Sequence, residues 1–173
     1  AVVSVNPGTL SLGVGQTGSV ALKGDWVNGL YGAEMHVSFN PSVVQVVDNV
    51  AAGSVWTDLC GNEPCGYVMR NQVDNTAGWI HFVATRVRPA EALSGSVVVA
   101  TVQFRGVTPG TSSVTIDSSS LLSDVNSQPI PWAAVNGQVS VGAAPGQTDL
   151  SAVVSSGWGG LWQLLGRLLS TLV

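Results

Sequence analysis

YGAEMHVSFNPSVVQVVD, residues 31–48, is the stretch on which the fold turns. Its first nine residues alternate: Tyr31, Ala33, Met35, Val37 and Phe39 fall on one side, and Gly32, Glu34, His36 and Ser38 on the other. A period of two predicts a β-strand with one buried face. Asn40-Pro41-Ser42 then ends the run, because proline cannot donate to a ladder and Asn and Ser favour turns. A second apolar run, Val43 to Val47, follows at once. Strand, tight turn and strand point to a sheet protein.

The rest of the chain repeats that grammar. Short apolar runs at Val2–Val5, Leu10–Val14, Ser19–Leu22, Tyr67–Val73, Trp79–Arg86, Ser96–Arg105, Ser113–Asp117, Ile130–Trp132 and Val135–Val141 are punctuated by turn signals such as Asn6-Pro7-Gly8, residues 74–78 (DNTAG) and Thr108-Pro109-Gly110. Many short strands at such spacing predict an all-β sandwich. No helical period is seen before residue 150. The 173 residues are enough for one domain with its own core.

Composition narrows the function. Charged residues make up only 9% of the chain, against about 25% in ordinary soluble domains. Gly, Ser, Thr, Val and Ala fill the gap, so the surface is covered by small neutral groups that repel neighbouring copies weakly. The net charge of −4 and the lack of any Lys/Arg run argue against nucleic acid as a partner. Cys60 and Cys65, in CGNEPC, suit a small disulfide loop turned by Gly61 and Pro64. On chain-entropy grounds that bond contributes about 2 kcal/mol. Pairing is preferred to free thiols, and a zinc site is disfavoured because no second ligand pair matches. A disulfide implies an exported protein, extracellular or at the cell surface. The chain opens directly on strand-like AVVSV, so the expectation is that a leader has been removed or lies outside this sequence.

The body of the chain, about residues 1–141, resembles cohesin-type domains. The resemblance rests on the opening segment, on GWIHFVAT (78–85), on SGSVVVATVQFRGVTPGTSSVTI (94–116) and on LLSDVNSQPIPWAAVNGQVSVG (121–142), in that order and spacing. It implies a jelly-roll β-sandwich of about nine strands that recognises another protein across one sheet face, typically a calcium-binding dockerin helix pair. Related sandwiches bind polysaccharide.

Residues 142–150 have linker composition, and residues 151–173 are a Trp- and Leu-rich tail that ordinary cohesin domains lack. From Leu161 the tail fits an amphipathic helix, with Leu161, Trp162, Leu164, Leu165, Leu168, Leu169, Leu172 and Val173 on one half of the wheel. Trp158, Leu161, Trp162, Leu165, Leu168, Leu169 and Leu172 are the expected assembly residues. Such a helix rises roughly 20 Å, short of the ~30 Å hydrocarbon core. Its apolar face therefore seeks its own sandwich, another copy of the chain, or a membrane surface; the single Arg167 weakens the last.

Enzymatic chemistry finds little support. There are two histidines, the carboxylates are scattered, and no G-x-S-x-G elbow occurs. No cofactor and no metal are expected. Asp117, Asp124 and Asn126 flank a serine-rich loop but lack the EF-hand spacing, so they are read as turn residues. Glu34, His36 and His81 are the expected partner-binding residues. Alternation turns Glu34 and His36 outward, burial of Ile80 and Phe82 turns His81 outward, and the cohesin resemblance implies that the two strands are neighbours. A plain solvated face is the competing reading, and a metal site a remoter one. Trp26, Trp56, Trp79 and Trp132 are weighed as a sugar-stacking platform against their use as core plugs. The resulting expectation is a non-catalytic, exported interaction module, favoured as a self-assembling surface or filament subunit working through its tail. The alternatives are a dockerin-binding cohesin and a carbohydrate-binding module.

Overall fold

The computed structural model describes residues 1–143. The expectations for the tail, and for most of the linker, lie outside the described residues. Within them the strands are β1 (Val2–Asn6), β2 (Thr9–Gly13), β3 (Thr17–Leu30), β4 (Gly32–Ser38), β5 (Val44–Val46) and β6 (Ala51–Ala52). A four-residue helix, α1 (Ser54–Thr57), is followed by β7 (Leu59–Cys60), β8 (Glu63–Pro64), β9 (Gly66–Asp74) and β10 (Trp79–Arg86). The chain continues through β11 (Leu93–Gly106), β12 (Gly110–Ile116), β13 (Leu121–Ser123), β14 (Ala133–Val135) and β15 (Gly137–Gly142).

Two sheets face each other as a jelly-roll sandwich. One runs β14-β1-β3-β11-β5, with β6 also on β11; the other runs β2-β15-β12-β4-β10-β9, with β13 also on β4. Val3, Leu22, Val102 and Phe104 from the first sheet meet Met35, Val37, Ile80 and Phe82 from the second, all fully buried. Phe39 packs edge-on to Phe104, with ring centroids 5.6 Å apart. Of the expected inward set, Ala33, Met35, Val37 and Phe39 lie in this core, whereas Tyr31, just ahead of β4, is only half-buried.

Ile130–Trp132 forms no strand, and three further local features depart from the sequence reading. The third strand extends far beyond Ser19–Leu22, to Thr17–Leu30, because it is held on both sides by β1 and β11. That pairing outweighs the poor strand propensity of its Gly, Asp and Asn residues. Residues 51–66, which lie outside the apolar runs, contain the α1 turn and the β7–β8 pair, closed by the Cys60–Cys65 disulfide. In β11 the ladder to β3 skips a residue between Val98 and Ala100. Val97 and Val99 therefore point inward before the bulge, and Ala100, Val102 and Phe104 after it. This phase change is why the strand reads as VVVA rather than as strict alternation.

Candidate functional site

The outer surface of the β13-β4-β10-β9 region is built by cross-strand register. His81 on β10 lies opposite His36 on β4 and opposite Gln72 on β9. Val83 lies opposite Glu34 and Arg70, and Glu34 in turn lies opposite Leu121 on β13. Trp79 lies opposite Ser38 and Asp74. Residues in register share a face, so three rows of side chains stand side by side away from the core. Trp79 and Leu121 are both exposed.

The structure brings the three expected residues together at the middle of this face. One carboxylate oxygen, Oε1 of Glu34, accepts from Nε2 of His81 at 2.8 Å and from Nε2 of His36 at 2.9 Å. The two imidazoles stack, with centroids 4.0 Å apart and planes 29° from parallel. Their side chains keep 17% (His81), 30% (His36) and 37% (Glu34) of their surface in solvent. The hydrogen bond from His81, and then that from His36, holds the Glu34 carboxyl below the usual carboxylate range. Beyond the trio, Nη1 of Arg70 is 3.3 Å from Nδ1 of His81. Since guanidinium can only donate, Nδ1 accepts, and His81 carries its proton on Nε2. The backbone N–H of His36 donates to Oγ of Ser120 at 2.9 Å, which fixes the loop after β12 against β4.

Sequence reasoning missed Arg70, Trp79 (as part of this face), Val83 and Leu121. Trp79 and Val83 were within reach, since they sit two residues either side of His81 in the same alternation. Leu121 and Arg70 arrive through pairing between distant strands, which alternation along one strand does not reveal.

The other candidate groups separate. Trp56 is fully buried and donates from Nε1 to the Val99 carbonyl at 2.9 Å. Trp132 packs partly buried against the core, Trp26 is exposed on β3 in one sheet, and Trp79 is on β10 in the other. The four tryptophans therefore form no common stacking platform. Asp124 Oδ1 accepts from the backbone N–H groups of Asn126 and Gln128, each at 2.8 Å, which makes it a turn residue as read. Asp117 accepts from Ser38 Oγ at 3.3 Å. No helix among the described residues is long and apolar enough to cross a membrane.

A jelly-roll sandwich with an exposed sheet face of mixed apolar and titratable side chains belongs to the class of β-sandwich recognition scaffolds. Within that class the chain belongs to the cohesin domain family, whose family model matches residues 3–141. Among solved structures it is similar to the third ScaC cohesin of Acetivibrio cellulolyticus in complex with the ScaB dockerin. That likeness has 20% identity, 80% of this chain and 96% of the other covered, and a TM-score of 0.64. It is also similar to CaCohA2 from Clostridium acetobutylicum, with 23% identity, 81% and 90% covered, and a TM-score of 0.62. A non-cellulosomal cohesin from the archaeon Archaeoglobus fulgidus has 18% identity, 82% and 90% covered, and a TM-score of 0.62. No curated protein is significantly similar to the chain.

Proposed function

We propose that this chain is a non-catalytic interaction module that receives a dockerin-type protein on the outer face of β13, β4, β10 and β9. The observation that carries the reading is the set of three registered rows, Arg70/Val83/Glu34/Leu121, Gln72/His81/His36 and Asp74/Trp79/Ser38. Exposed apolar groups at Leu121 and Trp79 flank a polar centre, as in interfaces with anchor residues and directional hydrogen bonds. Family membership and the dockerin complex of the similar ScaC cohesin support a dockerin-type partner. The disulfide supports an extracellular or cell-surface setting.

The test is binding of the full chain to a panel of dockerin modules in calcium, by surface plasmon resonance. At least one is expected to bind. Val83→Arg with Leu121→Arg should weaken it about tenfold or more, equivalent to about 1.4 kcal/mol. Binding that survives this pair together with His36→Ala and His81→Ala would place the interface elsewhere.

Self-assembly through residues 151–173 is a second reading, favoured by the run of leucines and tryptophans in that segment. Deleting residues 150–173 is expected to leave a folded monomer and to abolish assembly. A full-length chain that sediments as a monomer at high concentration refutes it.

A further inference from the structure

The geometry points to Glu34, His36 and His81 as a binding site for a divalent transition-metal ion of the zinc class. Two imidazole nitrogens and one carboxylate oxygen are donors that such ions prefer. Here they come from i and i+2 on β4 and from the directly opposed position on β10, and their ligand atoms all lie within 4.8 Å of one another. Among the described residues this is the group of three or more metal-ligating side chains that converge so closely.

The convergence is held by the sheet rather than by chance side-chain positions. β4 is paired with β10 on one side and with β12 and β13 on the other, and β10 is itself paired with β9. Both histidines present the same nitrogen, Nε2, to the same oxygen. The rings stack 29° from parallel, so their in-plane lone pairs run side by side, and loading requires the Nε2 protons to leave and the rings to splay toward one point beside the carboxylate. Three ligands about 2.1 Å from a tetrahedral zinc stand about 3.4 Å from one another. The present 2.8 and 2.9 Å nitrogen–oxygen contacts must open by about half an ångström and the stacked imidazoles must rotate apart, movements that the partly exposed side chains can supply. Water from the solvent side would complete the coordination.

Arg70 opposes the ion in a specific way. By donating to Nδ1 of His81 it selects the tautomer whose Nε2 carries hydrogen, whereas a metal needs the Nε2 lone pair and a proton on Nδ1. Loading therefore requires the exposed guanidinium to swing off His81, and its charge also repels the cation. Arg70 is a positioning residue for the empty face and a brake on metal binding.

The inference does not rest on partner docking, since the ion is measured on the chain alone. Isothermal titration of the full chain with zinc should show one ion per chain with micromolar affinity. His36→Gln and His81→Gln should each lower that affinity tenfold or more, and Arg70→Gln should raise it several-fold. The 15N resonances of Nε2 of both histidines should move together at one equivalent of zinc. This reads the wild type directly and does not depend on how the variants fold. Absence of stoichiometric binding overturns the site, as does zinc binding that persists in the double histidine variant. Nε2 resonances that stay in place while zinc binds also overturn it. An unchanged affinity in Arg70→Gln overturns the tautomer argument.

Discussion

Trp56→Ala is expected to destabilise the sandwich by about 3–5 kcal/mol, the range for emptying a fully buried large aromatic site. The side chain is the largest of those fully buried, and it enters the core from the α1 turn between β6 and β7. Its indole N–H also donates to the Val99 carbonyl at 2.9 Å. That carbonyl also accepts the Gly53 N–H at 3.0 Å, one step beyond the β6–β11 pairing. Truncation thus removes one of two donors and leaves the other, so most of the loss comes from the cavity and lost contacts rather than from an orphaned oxygen. Trp56→Phe, which keeps much of the volume and loses the hydrogen bond, should cost clearly less. Domains of this size have about 5–15 kcal/mol in total, so the alanine variant approaches the threshold of folding. Urea unfolding followed by circular dichroism gives both numbers. A loss below about 1 kcal/mol for Trp56→Ala would mean that the site collapses around the gap.

The same tryptophan shows how far the sequence could be read. Alternation along residues 31–39 turned Tyr31, Ala33, Met35, Val37 and Phe39 inward, all in the core but the half-buried Tyr31, and turned Glu34 and His36 outward, because one strand face is a local property of a period of two. His81 was placed by the same logic between Ile80 and Phe82. That it stands opposite His36, at hydrogen-bond distance from Glu34, depends on a register between strands more than forty residues apart. Only the resemblance to cohesins made them neighbours. Leu121 and Arg70 join the face through further pairings of that kind, and nothing adjacent to them in the sequence signals it. Trp56 lay in a stretch with no period at all. Its role as a core plug depends on β11, whose Val99 carbonyl fixes the indole from a distant part of the sequence, and the bulge at that residue left only the faint mark of a broken alternation in VVVA.

Gly53→Ala is expected to cost about 3 kcal/mol or more, although nothing in AAGSV marks this glycine as special. Its backbone is ordinary, with φ −60° and ψ 147°, so an L-residue pays no conformational penalty there. The obstacle is space. A Cβ at position 53 would overlap the Val98 carbonyl oxygen and lie 2.9 Å from the Val98 carbonyl carbon, both main-chain atoms of β11. Neither can rotate away. Relief requires the 53–56 turn to lift off the bulge, which stretches the Gly53 N–H bond to Val99 and drags the Trp56 indole from the same carbonyl. Gly29 is the matching control: its φ of +76° disfavours alanine, but no atom lies within 4 Å of the added Cβ. Gly29→Ala should therefore cost only the left-handed penalty of about 1–2 kcal/mol. If close approach to β11 is what position 53 demands, Gly53→Ala is the worse variant in chemical denaturation and Gly53→Ser is no better. Equal losses at the two positions would show that the turn yields to the methyl group, and that the Gly53–Val99–Trp56 junction is looser than its distances imply.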